Sequence, residues 1–142
     1  METISEQASH LRFAIARTAR RLRQEAGSPL SPTLIAGLAT IDRHGPLTPS
    51  ELAAREKIQR PTATRVLARL EEAGLIERTA DPADRRSSLV STTPAGADLL
   101  ASVRDRKDAY LAQRLDRLSP EDLAALDLAA GILERVLEEG AE

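Results

Sequence analysis

The chain has 142 residues, with 20 Lys or Arg against 22 Asp or Glu, a net charge of −2 and no cysteine. That length fits one domain around one core, with room for appended helices that need a partner to bury them. The missing cysteine excludes a disulfide framework, thiolate metal sites and peroxide sensing through a thiol, and neither a signal peptide nor a run of about 18 apolar residues is present, so a cytoplasmic protein is expected.

Leu and Ala dominate the apolar residues, and Phe13 and Tyr110 are the aromatic ones. Burial by small and branched aliphatics at helical spacing predicts a mainly α protein. The first helix is expected over 4–25, with Ile4, Ala8, Leu11, Ile15, Ala19 and Leu22 spaced three and four apart as an apolar stripe. Further helices are expected over 32–44, 49–56, 61–73, 94–116 and 120–138. Their starts are marked by Ser31-Pro32, Thr48-Pro49, Thr93-Pro94 and Ser119-Pro120, each a hydroxyl at the N-cap with proline behind it, and by Arg60-Pro61. Thr48 and Glu51 have the spacing of a capping box. Gly27, Gly45 and Gly74 follow the first, second and fourth helices as stop signals.

Helices 49–56 and 61–73 form a helix-turn-helix candidate. Leu52, Ala53, Ile58, Ala63, Val66, Leu67 and Leu70 make one apolar face, while Pro61, Thr64, Arg65, Ala68 and Glu72 lie opposite, with Thr62 and Arg69 at the edge. Small side chains there admit the helix to a major groove. Thr64 can donate and accept, Arg65 can reach guanine or phosphate, and Arg60 stands at the N-terminal end, where backbone N–H groups attract anions. Lys57 occupies the turn position that often carries glycine; if that position needs positive φ, it costs on the order of 1 kcal/mol.

Residues 75–79 and 87–91 are short strand candidates around Asp81-Pro82-Ala83-Asp84-Arg85-Arg86, which together make an antiparallel wing with a basic tip. Asp84 lies two residues from Arg86 and can hold its guanidinium in a fixed direction. An aimed arginine suits a narrow minor groove. Residues 55–86 carry eight Lys/Arg against six Asp/Glu, and 119–142 carry one against seven, so the acid sits at the far end from this surface. The last helix shows a second stripe of Leu123, Leu126, Ala130, Leu133 and Leu137. Neither terminal stripe has an obvious cover within the chain. An interface between two copies is expected through Ile4, Ala8, Leu11, Ile15, Leu126, Leu133 and Leu137.

No enzymatic motif appears. His10 and His44 lie on different helices without a metal-ligand partner, there is no Gly-rich phosphate loop, and Glu121-Asp122 and Glu138-Glu139 read as solvated helix ends. Neither a catalytic site, a metal nor a cofactor is expected. Three functions compete: a sequence-specific DNA-binding regulator, a helical protein–protein adaptor using a winged helix without DNA, and an enzyme, for which no motif speaks. The arginine face favours the first, because an adaptor surface would carry more apolar residues.

Leu52-Ala53, Thr64-Arg65, Leu70-Glu71, Gly74-Leu75-Ile76-Glu77-Arg78, the wing sequence and Thr93-Pro94-Ala95-Gly96 together resemble the MarR family of bacterial transcriptional regulators. The resemblance implies a winged helix-turn-helix with six helices and a small antiparallel β wing, whose N- and C-terminal helices form a dimerisation region. A single domain over 1–142 would then divide into a DNA-binding lobe at 30–92 and dimerisation helices at 1–26 and 94–142. It further implies a homodimeric repressor of a palindromic operator. Helix 61–73 would read the major groove through Arg60, Pro61, Thr62, Thr64, Arg65 and Arg69, and Arg85 or Arg86, oriented by Asp84, would enter the minor groove. Many members release DNA when a small aromatic or anionic effector binds between the two regions. Phe13, Arg17, His44 and Tyr110 are the side chains able to stack on or pair with one.

Overall fold

Chain order in the computed structural model is α1 (Ile4–Ala26), α2 (Pro32–His44), α3 (Pro49–Glu56), α4 (Arg60–Glu72), β1 (Ile76–Asp81), β2 (Asp84–Thr92), α5 (Pro94–Leu115) and α6 (Pro120–Glu138). The structure describes residues 1–138, and Glu139 lies outside them. The element bounds follow the chemistry of the caps. Ser31, Thr48, Thr93 and Ser119 each accept the N–H three residues on, from Leu34, Glu51, Gly96 and Asp122, at 3.3, 3.1, 3.2 and 3.1 Å. The fifth start differs from expectation. Gln59 is the N-cap of α4, without a side-chain cap, and Arg60 is its first helical residue. The reciprocal capping box forms at Thr3 and Glu6, the same Thr-x-x-Glu pattern at the start of α1.

Met1–Lys107 forms one compact unit and Asp108–Glu142 another. The division falls inside α5. In the first unit Leu38 and Ile41 of α2, Leu52 of α3, Val66, Leu67 and Leu70 of α4, Leu75, Ile76 and Val90 form one core with Leu47. Each large aliphatic so buried contributes about 1.5–3 kcal/mol. Leu30, Leu34, Leu99 and Leu100 pack at its edge.

The hairpin pairs Ile76 with Thr92, Glu77 with Ser91, Arg78 with Val90, Thr79 with Leu89 and Ala80 with Ser88. Leu47 and Val90 exchange backbone hydrogen bonds of 3.0 and 2.8 Å, so the loop before α3 adds a third short pairing at the base of the wing. The Thr93-x-x-Gly96 sequence is the joint behind it. Thr93 donates its N–H to the Leu75 carbonyl at 3.0 Å and its hydroxyl to the Gly74 carbonyl at 2.7 Å. A Cβ at position 96 would stand 2.2 Å from the Leu75 oxygen, so only glycine lets α5 start this close.

In the second unit, α6 follows the end of α5 after a tight turn closed by Leu118 N–H to Leu115 C=O at 3.0 Å. No residue of α6 is buried.

Candidate nucleic-acid interface

The turn that aims α4 is built on Lys57, at φ 53° and ψ 44°. Ile58 donates its N–H to Ala53 at 3.1 Å and Lys57 donates to Ala54 at 3.3 Å, the paired bonds of a Schellman closure. The left-handed position that glycine usually fills is here filled by lysine. Gly74 closes α4 in the same manner, at φ 74°.

Burial of Ala63, Val66, Leu67 and Leu70 turns the opposite side of α4 outward. Arg60, Pro61, Thr64, Arg65, Ala68 and Arg69 are exposed and Thr62 is half-buried, as the helical spacing predicts. Two hydroxyls are engaged within the helix. Thr64 donates to the Arg60 carbonyl at 3.0 Å, leaving its methyl and its lone pairs outward, and Thr62 accepts from the Arg65 guanidinium at 3.4 Å. Thr64 is thus not the free donor suggested by its residue type. Thr62, Arg65 and Arg69 form one wall of a groove of about 480 Å³ whose other wall includes Ser31 and Thr33 at the start of α2.

The wing departs from a simple basic loop. Its turn is Pro82-Ala83, β1 runs to Asp81, and β2 begins at Asp84, so Arg85 and Arg86 belong to a strand and not to the tip. Register runs from Ala80–Ser88 directly to Asp81–Asp84, which leaves Arg85, Arg86 and Ser87 in a bulge without cross-strand partners. A bulge of this kind re-aims side chains. Asp84 serves it: its Oδ1 accepts the backbone N–H of Arg86 at 2.9 Å, while Asp81 Oδ1 accepts the Ala83 N–H at 2.9 Å. The expected contact of Asp84 with the Arg86 guanidinium is replaced by one with its main chain, so any aiming acts through the backbone. Sequence reading missed a further contact. Arg78 on β1 pairs with Glu71 on α4 and donates to Ser88 on β2 at 3.4 Å. Its residues stood inside the Leu70-to-Arg78 motif, but a pair seven apart across a turn has no helical or strand periodicity to betray it.

The remaining expected residues divide. Ile4, Ala8, Leu11, Ile15, Leu126 and Leu137 are exposed and Leu133 is half-buried. Leu128, Ile132 and Val136, outside the stripe read from sequence, are exposed too. A cleft of about 520 Å³ lies among the end of α1, the start of α2 and α5, with Leu22, Leu30, Ile35 and Val103 as apolar walls and Arg23 and Lys107 as cations. None of Phe13, Arg17, His44 and Tyr110 lines it. Arg17 lies 5.5 Å over the Phe13 ring, Arg114 lies 5.1 Å over Tyr110, and His44 is exposed at the end of α2. Among the described residues there is no group of three or more His, Asp or Glu that could hold a metal ion, and no helix long and apolar enough to cross a membrane.

A helix-turn-helix whose second helix presents arginine and threonine outward, followed by a hairpin with a basic bulge, defines a winged-helix DNA-binding protein. The model of the MarR family matches residues 30–88. An uncharacterized HTH-type transcriptional regulator of Mycobacterium bovis, Mb0904, is 35% identical over 133 residues, which are 93% of each chain. The crystal structure of a proposed transcriptional regulator from Pseudomonas aeruginosa PA01 has a TM-score of 0.86 and 34% identity, over 96% of this chain and 98% of that one. FabT of Streptococcus pneumoniae, solved in complex with DNA, shares the fold at 21% identity and a TM-score of 0.72, over 96% of this chain and 99% of its own. The chain belongs to the MarR family: it is a DNA-binding transcriptional regulator and not an enzyme.

Proposed function

We propose that the protein is a cytoplasmic homodimer that represses transcription from a palindromic operator until a small anionic effector releases it. One winged helix per subunit docks with α4 in the major groove and Arg85 or Arg86 in the minor groove alongside. The observation that carries the DNA contact is the combination, within one unit, of the arginine face of α4 with a bulge that turns two arginines out of the wing ladder. FabT, which has this fold, is itself known bound to DNA.

Self-association is supported by apolar surface that water would otherwise meet. Ile4 is 81% exposed and Leu137 78%. With Leu123, Leu126, Leu128, Ile132 and Val136 also exposed, α6 is apolar around most of its circumference. A helix of that kind belongs in the interior of a larger body. A second copy supplies that body and the two-fold axis of a palindrome. The effector reading is supported by the cleft among α1, α2 and α5, whose apolar walls and two cations suit an aromatic or aliphatic carboxylate.

Sedimentation and DNA binding test this together. Wild type should sediment as a dimer, Leu11→Asp should shift it toward monomer by burying an unpaired charge, and a panel of small carboxylates should include one that lowers DNA affinity. A monomeric wild type that still binds a palindrome tightly would contradict the dimer, and affinity indifferent to every carboxylate would contradict the effector.

A further inference from the structure

We propose that Arg78 is a positioning residue for DNA recognition: by joining Glu71 to Ser88 it sets the wing relative to α4, and so the spacing between the two DNA contacts. The inference rests on the docking proposed above, with α4 and the wing in neighbouring grooves.

The base of the wing is fixed by the core, because Ile76 and Val90 are buried and Val90 pairs with Leu47. Beyond the base, Glu77, Arg78, Thr79 and Ala80 are all exposed. Ser87, Ser88 and Leu89 opposite are only half-buried, and a two-stranded hairpin so thinly covered is marginally stable, so its outer half needs another restraint to hold a direction. Arg78 supplies one. Its Nε donates to the Glu71 carboxylate in the last turn of α4, and its Nη1 donates to Ser88 Oγ at 3.4 Å on the opposite strand. Ser88 is the paired residue next to the bulge that holds Arg85 and Arg86. One guanidinium therefore links the recognition helix, both strands and the edge of the basic bulge. A planar fork can hold two such acceptors at once, which a single ammonium does less well.

Charge alone does not account for Glu71. A carboxylate at the end of a helix that faces phosphates opposes binding, so its removal should tighten the complex if electrostatics were its whole effect. A strut predicts the opposite sign. The pair is partly exposed, with side-chain exposures of 32% and 46%, so its loss should leave overall stability nearly unchanged.

The test compares Glu71→Ala, Arg78→Ala, their combination, and the exchanged pair Glu71→Arg with Arg78→Glu in the full-length protein. The probe is a duplex selected by the wild type from a random pool, at fixed salt. Affinity is read beside hydroxyl-radical protection of the minor-groove flanks, methylation protection of guanine N7 in the major groove, and thermal stability. Each single variant should lose roughly threefold per wing, about tenfold for a two-winged complex, with a double variant no worse than the singles. Flank protection should fall while guanine protection and Tm hold, and the exchanged pair should recover part of the loss. Tighter binding by Glu71→Ala, loss confined to Arg78→Ala, additive losses, or parallel loss of both protections with Tm would each overturn the strut. Failure of the docking itself looks different: the wild type would then lack the flank protection that Arg86→Ala should abolish, and the strut would fall with it.

Discussion

Lys57→Gly is expected to stabilise the protein, although it removes a side chain and loosens the unfolded chain. Lys57 holds φ 53° in a closure whose bonds of 3.1 and 3.3 Å match those of the Gly74 closure, at 3.0 and 2.9 Å. For an L-residue the left-handed region costs about 1–2 kcal/mol. Glycine returns about 0.4–1 kcal/mol of that to the entropy of the unfolded state. The difference is a net gain of about 0.5–1 kcal/mol, or a rise in Tm of a few degrees for a chain of this size. Gly74→Ala is the matched control, since a Cβ added there would meet nothing within 4 Å beyond its chain neighbours, so its cost is conformational, about 1 kcal/mol in the other direction. Urea unfolding at one fixed protein concentration measures both, because association would otherwise enter the comparison. A Lys57→Gly variant no more stable than wild type, beside a Gly74→Ala variant that loses the expected amount, would show that the lysine side chain offsets its own strain and would refute the argument.

Other outcomes follow from single contacts. Gly96→Ala should destabilise by more than about 2 kcal/mol, because its Cβ meets the Leu75 carbonyl at 2.2 Å; unfolding within about 0.5 kcal/mol of wild type would mean that α5 shifts freely at its start. Asp84→Ala should weaken DNA binding by freeing the Arg86 N–H, a bond of about 0.5–1.5 kcal/mol, whereas Asp84→Asn keeps the acceptor oxygen, removes a negative charge and should bind at least as well. Equal losses from the two would mean that the carboxylate charge itself matters. The Glu6 carboxyl is held below its ordinary pKa, first by the Thr3 backbone N–H and then by the Thr3 hydroxyl. Its support of the start of α1 is therefore fully present above the usual carboxylate range and is lost as pH falls through the lowered value. The Thr3 amide resonance should report that midpoint, and titration at an ordinary carboxylate value would contradict it.

The elements most legible in the sequence were those fixed by chemistry within one turn. Hydroxyl–proline pairs set the starts of α2, α3, α5 and α6, and the bounds of α2, α3 and α6 agree with the spans read from them. The exposed face of α4 followed from its period. What the sequence hid depends on contacts between segments. Strand register decided that Arg85 and Arg86 lie in a bulge and that Asp84 serves a main-chain N–H, since an Asx contact and an ion pair have the same residue spacing. The cleft draws its walls from α1, α2 and α5, an assembly of distant segments that residue chemistry alone does not reveal. The apolar surface of α6 extends beyond the stripe that its spacing shows. Leu128, Ile132 and Val136 lie off that stripe and are exposed as well.

The central claim is that α4 reads base edges, and Arg65→Ala tests it most directly when wild type and variant are each titrated, at one salt concentration, against the selected duplex and against its single-base variants. The account predicts that Arg65→Ala loses about 1–3 kcal/mol on the selected duplex and discriminates less at one base pair in each half-site, while other positions keep their preference. A uniform loss across all duplexes, with base preferences intact, would make Arg65 a phosphate contact and contradict readout by this face of α4.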